Sequence, residues 1–133
     1  MRPRIYLADP AVFLPDAPKI LAGMAKIVAA RGLEPIIPAI DVDFSGLAPL
    51  PAAQAIRQEN CRRIAACDGL IACVSPFRGP LADPGTTWEI GYASALDKKI
   101  ALWREHQDGE MFAGHAVAVT LAEAARLMAA RFG

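Results

Sequence analysis

Short apolar runs alternate with helical stripes along most of this chain. The run Ile5–Ala8 stops at Asp9-Pro10, which is typical of a buried strand that leads into a loop. The segment 16–31 then carries apolar residues at helical spacing and ends before Gly32, as a helix does. Strands that alternate with helices form βαβ units, so the pattern predicts an α/β fold with a parallel sheet covered on both faces.

The same patterns predict five strands and four helices in a single domain over residues 1–133. We place strands at 5–8, 35–38, 69–74, 99–103 and 116–119, and helices at 16–31, 52–67, 86–96 and 121–131, with a loop over 41–51. A flavodoxin-like, doubly wound order of the five strands puts the loops after strands one and three side by side. Ligands bind at this point in such sheets, where the strand order reverses.

Charge and composition favour a small-molecule partner. The chain is 54% hydrophobic and 21% charged, so 133 residues can bury one sizeable core. Fourteen basic and fourteen acidic side chains cancel, which leaves no global field to attract a nucleic acid polymer or a membrane surface. We therefore expect a small molecule or a second copy of the chain as the partner.

The cysteines and the N-terminus indicate a reducing, cytoplasmic location. Cys61, Cys67 and Cys73 are odd in number and form no CxxC pair, so we expect buried, reduced thiols rather than a metal or redox site. The first apolar run ends at Asp9, too early for a signal peptide or a membrane-spanning helix.

Two carboxylates flank a Pro-Gly turn in the loop after the third strand. Thr86-Thr-Trp-Glu89 has the spacing of a capping box, which would make Glu89 a structural residue. Asp83 before Pro84 has the alternative pattern, with Asp83 as the cap and proline at the first helical position. A carboxylate at a helix N-terminus is favoured by the helix dipole whether it is a cap or an ionised nucleophile. The residues alone leave these alternatives open.

A longer set of motifs resembles one enzyme family. The chain has Ile5-Tyr-Leu-Ala before Pro10, then Ser75-Pro-Phe-Arg-Gly79, Asp83-x-Gly-Thr86 and Glu89-Ile-Gly-Tyr-Ala93. In this order, over roughly the first hundred residues, these motifs resemble the nucleoside 2-deoxyribosyltransferase family. The combination is far more specific than a lone glycine motif.

The resemblance implies a flavodoxin-like subunit that moves a 2-deoxyribosyl group between nucleobases with retention of configuration. It implies Glu89 as the nucleophile, Asp83 as the group that assists the base, and Tyr6 as the residue that holds the glutamate. The implied substrates are deoxynucleosides and free nucleobases, without a metal or an organic cofactor. The implied assembly is a homo-oligomer, either a dimer or built from dimers.

The chemistry of that reaction agrees with two carboxylates in different settings. Retention takes two displacements, so one carboxylate attacks the sugar while another acid protonates the departing base. Glu89 at the start of a helix should stay ionised, as a nucleophile must, and Asp83 in the turn is then the candidate acid.

Six further residues are candidates for substrate binding, and three of them also have a structural interpretation. Phe13 is either a stacking platform or a core residue, Arg78 either a ligand contact or a loop residue, and Asn60 either a site residue or a solvated one. The set is Asp9, Phe13, Asn60, Phe77, Arg78 and Gly85.

Two departures from the family pattern bear on the activity. Asp9 stands where the family commonly has glycine, which adds a third carboxylate beside the predicted site. The family's acceptor site typically includes an asparagine from the C-terminal part of a neighbouring subunit, whereas Asn60 is the only asparagine of this chain. Hydrolysis of deoxynucleosides or their 5'-monophosphates is therefore an alternative to transfer, and a non-catalytic nucleotide-binding module is a second alternative.

Overall fold

Five parallel strands form one sheet in the computed structural model of the chain, which describes residues 1–105, 114–115 and 117–133. The strands are β1 (Arg4–Ala8), β2 (Glu34–Ile36), β3 (Gly69–Cys73), β4 (Lys99–Trp103) and β5 (Val117–Ala118). Their order is β2-β1-β3-β4-β5, and every neighbouring pair is parallel. This is the doubly wound, flavodoxin-like order, so the predicted fold class is confirmed.

Within the described ranges, four helices cover the two faces of the sheet. They are α1 (Ala17–Ala29), α2 (Pro49–Ala66), α3 (Pro84–Ala95) and α4 (Leu121–Ala130), and a short 3₁₀ helix (Pro10–Phe13) follows β1. Successive side chains of a strand point to opposite faces. In β1, Ile5 and Leu7 pack with α1 and α4, whereas Tyr6 and Ala8 pack with α2 and α3. Tyr6 therefore faces the helical layer that contains Glu89.

Several element boundaries differ from the predicted ones. Helix α2 begins at Pro49 instead of residue 52, because prolines in the first turn of a helix lose no intrahelical hydrogen bond. Helix α3 begins at Pro84 instead of residue 86, because Asp83 caps it. Strand β2 covers 34–36 rather than 35–38. Strand β5 covers 117–118, and residue 116 of the predicted strand lies outside the described residues.

The sheet brings two loops together at its carboxyl edge. Ala8 pairs with Ala72, so the chain leaves β1 and β3 at the same level. The loop after β3 folds back on itself through a hydrogen bond from the Phe77 amide to the Leu81 carbonyl, at 3.0 Å, and through an antiparallel bridge between Pro76 and Ala82. This turn delivers the chain to the start of α3, beside the end of β1.

The cysteines are all free. Cys67 and Cys73 are buried as expected, whereas Cys61 on α2 is only half-buried, which corrects the expectation for that thiol. Burial raises the pKa of the Cys67 and Cys73 thiols to about 11. Among the helices of the described residues, none is both long and apolar enough to cross a membrane.

Candidate active site

A cleft opens at the carboxyl edge of the sheet, between α2, the end of β1 and the start of α3. Six of the nine residues that the sequence singled out line it: Asp9, Phe13, Asn60, Asp83, Gly85 and Glu89. Tyr6 lies behind Glu89, at the base of the cleft. Phe77 and Arg78 are not among the lining residues and lie at its edge, against Phe13.

Glu89 is held by a buried hydrogen bond from the central part of the sheet. The hydroxyl of Tyr6 donates to Oε2 of Glu89 at 2.7 Å. Tyr6 has no exposed surface and Glu89 is 7% exposed, so water does not compete with this bond. Burial, reinforced by the negative charge of Glu89, raises the pKa of Tyr6, and the phenol remains a proton donor. The bond fixes the side chain of Glu89 at the base of the cleft.

The carboxyl of Glu89 titrates near neutral pH. Burial raises its pKa from 4.5 to about 6, the Tyr6 hydrogen bond and the charge of Arg57 act to lower it, and the charge of Asp83 acts to raise it. Glu89 is the sixth residue of α3, beyond the first turn, where a helix dipole favours negative charge most. Burial, rather than the start of the helix, is thus the main influence on the charge of this carboxyl. At pH 7 it is still about nine-tenths ionised, as a pKa of about 6 requires.

Asp83 is the N-cap of α3, and this decides between the two capping patterns. Its Oδ2 accepts from the backbone amide of Thr86 at 2.9 Å and from the Thr86 hydroxyl at 3.2 Å. Glu89 does not return to cap the helix but lines the cleft, so the Thr86–Glu89 capping box is not formed. Both hydrogen bonds use Oδ2, and Oδ1 of Asp83 accepts none within the described part of the chain.

Gly85 leaves space that the Asp83 carboxylate uses. A Cβ atom at position 85 would lie 3.1 Å from Oδ2 of Asp83, closer than ordinary van der Waals contact. A side chain at this position would therefore require the Asp83 carboxylate to move by a few tenths of an ångström. The glycine in the motif permits this approach.

Asp9 is a third carboxylate in the same cleft. It is 8% exposed, its Oδ1 accepts from the Ala11 amide at 2.7 Å, and the Cys73 thiol donates to the same carboxyl. Burial is the main cause that raises its pKa above the ordinary value, and the charge of Asp83 adds to the effect. The sequence therefore predicted correctly that Asp9 lies beside Asp83 and Glu89.

Asn60 and Phe13 both face the cleft. Oδ1 of Asn60 accepts from the Ala39 amide at 2.8 Å, which orients the side-chain amide, so Asn60 is not a freely solvated residue. Phe13 is 51% exposed and is not a core residue. Its ring stacks on Phe77 with centroids 6.0 Å apart, and the Arg78 guanidinium lies 5.0 Å from each ring centroid.

Sequence reasoning missed Arg57, which also lines the cleft. Its Nη1 lies 3.9 Å from Oε2 of Glu89, and its guanidinium carbon lies 4.0 Å from the centroid of the Trp88 ring. The sequence does carry a signal for Arg57, because residues three apart on a helix share a face and Asn60 is a predicted site residue. Ala53, Ile56, Arg57 and Asn60 form that face of α2.

The sequence matches a family model described as nucleoside 2-deoxyribosyltransferase over residues 5–121. The fold is similar to the solved structure of a 2-deoxyribosyltransferase from Leishmania mexicana, with a TM-score of 0.76 and 27% identity, over 96% of this chain and 97% of that one. It is also similar to a 2-deoxyribosyltransferase from Bacillus psychrosaccharolyticus, with a TM-score of 0.69 and 18% identity, over 90% and 88% of the two chains.

Two further relatives carry no functional description. A conserved protein from Enterococcus faecalis has a TM-score of 0.60 and 20% identity, over 96% of this chain and 88% of that one. An uncharacterized protein of Schizosaccharomyces pombe is 32% identical over 114 residues, which are 83% of this chain and 53% of that protein. The chain thus spans about half the length of this curated relative.

The raised pKa of Glu89 predicts that this carboxyl weakens the fold as pH rises. The folded state keeps its proton up to about pH 6, whereas the unfolded chain releases it near 4.5. Between these values the unfolded state holds fewer protons, so the free energy of unfolding falls with pH and the full cost persists above pH 6. Glu89→Gln removes this titration. Its stability relative to wild type should rise by about 1.5 kcal/mol from pH 4.5 to 7.5, measured by urea unfolding.

Glu123→Gln is the matched control for that measurement. Glu123 is paired with Arg126 on the surface of α4, and its pKa is lowered, so this substitution should not gain relative stability over the same pH range. A Glu89→Gln variant with the same stability difference at both pH values would contradict a raised pKa at Glu89.

Proposed function

The chain belongs to the nucleoside 2-deoxyribosyltransferase family, and we propose that it transfers the 2-deoxyribosyl group between nucleobases through a covalent intermediate on Glu89. One observation carries the proposal. Tyr6 and Arg57 both approach Oε2 of Glu89, at 2.7 and 3.9 Å, and within the described part of the chain no group donates to Oε1. Among the described residues, Glu89 thus has one anchored oxygen and one oxygen without a partner, at the base of a cleft.

In the first displacement, a lone pair of Oε1 of Glu89 attacks C1' of the deoxynucleoside. The C1'–N bond breaks, and its electron pair leaves with the base. Asp83 passes a proton to the departing base through Oδ1, because Oδ2 accepts both hydrogen bonds from Thr86. The products of this step are a free base and a deoxyribosyl ester of Glu89.

In the second displacement, a nitrogen of the incoming base attacks C1' from the side that the first base left. The C1'–Oε1 bond breaks, its electron pair returns to Glu89, and the incoming base gives its proton to the Asp83 carboxylate. Two inversions give net retention, and both carboxyl groups return to their initial states. The 2.7 Å hydrogen bond from Tyr6 stabilises the carboxylate that departs in this step.

The residues above the two carboxylates are suited to hold the sugar and the base. Phe13 offers a half-exposed ring, Asn60 an oriented amide, and Asp9 a carboxyl with a raised pKa. Arg78 rests on Phe13 and Phe77 at the edge of the cleft and would support the aromatic wall from outside. We assign these residues to substrate binding rather than to bond breaking.

Water competes with the incoming base in this proposal. The chain has no asparagine after Asn60, where the family pattern led us to expect an acceptor contact. The glycosyl ester should therefore hydrolyse slowly when no base is present. We also propose that the chain forms a homo-oligomer, because Leu81 and Trp88 beside the cleft are 64% and 48% exposed. Sedimentation can measure the size of the assembly.

Purified protein incubated with deoxyinosine and adenine should form deoxyadenosine and release hypoxanthine. Without adenine, deoxyribose should appear more slowly, and added adenine should suppress it, because transfer and hydrolysis share one intermediate. Product separation by chromatography follows both reactions. Glu89→Gln should lose both products while remaining folded, since glutamine keeps the shape but does not attack the sugar.

The same assay separates the alternatives. Hypoxanthine and deoxyribose in equal amounts, unaffected by adenine, would make the protein a hydrolase. Deoxyinosine binding without any product would support a nucleotide-binding module. Retention of turnover in Glu89→Gln would contradict the role that we assign to Glu89.

Asp83→Asn should slow the first displacement most for bases that leave poorly. Asparagine is also a good N-cap, so α3 keeps its start while the proton is lost. We expect losses of about 10²- to 10⁴-fold for poor leaving groups and much smaller losses for activated ones. Rates measured over a series of deoxynucleosides with bases of different basicity give this dependence.

Thr120→Ala is a control for capping, because Thr120 caps α4 through its contact with the Glu123 amide, away from the cleft. It should cost about 1 kcal/mol of stability and leave the rates unchanged. A loss in Asp83→Asn that is the same for every base would show that Asp83 positions the substrate instead of protonating it.

A further inference from the structure

Arg57 lies on α2 between the ring of Trp88 and the carboxyl of Glu89. Its guanidinium carbon is 4.0 Å from the centroid of the Trp88 ring, and its Nη1 is 3.9 Å from Oε2 of Glu89. The Trp88 ring itself stacks on Tyr92, with centroids 5.5 Å apart and planes 15° apart. The guanidinium is thus held on a fixed aromatic face, next to the proposed nucleophile.

Nη1 of Arg57 is buried and has no hydrogen-bond partner within the described residues. The 3.9 Å contact with Glu89 is an ion pair but is too long for a hydrogen bond. A buried N–H group without a partner costs free energy, so its presence calls for a compensating role. The attraction between a cation and the face of a tryptophan ring keeps the guanidinium of Arg57 in place, although this side chain is partly exposed.

We propose that Arg57 is a positioning residue for Glu89. The guanidinium, held against Trp88, acts with the Tyr6 hydroxyl on Oε2, which keeps Glu89 charged and leaves Oε1 for the sugar. The catalytic part of this inference rests on the function proposed above, whereas the effect on the charge of Glu89 does not.

The other ionisable groups around Glu89 do not supply this positive charge. Strand β1 contributes the neutral phenol of Tyr6. Helix α2 contributes Arg57 and the half-buried thiol of Cys61, and burial is the main cause that raises the pKa of this thiol. The start of α3 contributes Asp83, and the end of β1 contributes Asp9 to the same cleft. Among the described residues, Arg57 is therefore the cation that acts on Glu89, against burial and against the charge of Asp83.

The same contact has a use in each displacement. Before the first, the positive charge of Arg57 favours the ionised, nucleophilic form of Glu89. In the second, negative charge returns to the carboxyl as the C1'–Oε1 bond breaks, and a guanidinium already fixed beside Oε2 stabilises that charge without reorganising. The N–H group at Nη1, which has no hydrogen-bond partner within the described residues, can then approach Oε2 more closely than 3.9 Å and donate to it.

The direct test is the titration of Glu89 in Arg57→Met, which keeps an unbranched side chain but removes the charge. Carboxyl ¹³C NMR follows the glutamates, and Glu89→Gln identifies the signal. The wild-type midpoint should lie at about 6. In Arg57→Met we expect it to rise by about one pH unit, at the low end for a partly exposed partner. Arg62→Met, on the exposed side of α2, should leave the midpoint unchanged.

Two further variants keep the test decisive if Arg57→Met does not fold. Arg57→Lys retains the charge and should keep a midpoint near that of wild type, but it loses the flat contact with the ring. Trp88→Leu keeps the charge of Arg57 but removes the aromatic ring on which the guanidinium rests. It should raise the Glu89 midpoint by less than Arg57→Met does. A midpoint that is unchanged in Arg57→Met, or in Trp88→Leu when Arg57→Met does not fold, would overturn the inference.

The pH dependence of turnover provides the second readout. The acid limb of kcat/KM reports ionisation in the free enzyme, so it should move upward with the Glu89 midpoint. From ionisation alone, Arg57→Met should be about fivefold slower than wild type near pH 6 and nearly equal at pH 8. Loss of leaving-group stabilisation adds a factor that does not depend on pH.

The two readouts separate this inference from the proposed function. A raised midpoint in Arg57→Met, with no turnover of deoxynucleosides even by wild type, would support the action of Arg57 on Glu89 and refute the function. Turnover by wild type with the same midpoint and the same acid limb in Arg57→Met would refute the inference alone.

Discussion

The buried hydrogen bond between Tyr6 and Glu89 connects the sheet to the chemistry. It joins the middle of β1 to the second turn of α3, across 83 residues of sequence, at 2.7 Å. Both side chains are buried, so the carboxyl would be costly to keep there without a donor. The strength of this hydrogen bond depends on the distance between β1 and α3, which the parallel pairing of β1 with β3 helps to determine.

The site then follows from the sheet order. Because β1 and β3 are neighbours and run in the same direction, both release the chain at one edge, and Asp9 meets Asp83 and Glu89 there. Within the described part of the chain, three carboxyl groups share this edge, yet each has different partners. Asp9 has a backbone amide and a thiol, Asp83 has Thr86, and Glu89 has a phenol and a guanidinium. Different partners permit different roles within one cleft.

The sequence predicted the sheet because its signals are local: short apolar runs, helical stripes and a Pro-Gly turn. It also predicted that Asp9, Asp83 and Glu89 meet, because strand order determines which loops are neighbours. The sequence does not decide whether Asp83 or the box from Thr86 to Glu89 caps α3, since both have suitable spacing. In the fold, Glu89 is buried in the cleft and Asp83 is the cap. The sequence does not single out Arg57, because its partners Trp88 and Glu89 lie on another helix and only tertiary packing brings the two helices together.

Intact-protein mass spectrometry can detect the proposed covalent intermediate on Glu89. The protein would be mixed with a 2'-fluoro deoxynucleoside that carries a good leaving group, since the electron-withdrawing fluorine slows breakdown of the intermediate. We expect a gain of one fluorodeoxyribosyl group, located by peptide mapping to Glu89, and no gain in Glu89→Gln. Release of the base by wild type with no adduct at any time, or an adduct on a residue other than Glu89, would contradict a covalent intermediate on Glu89.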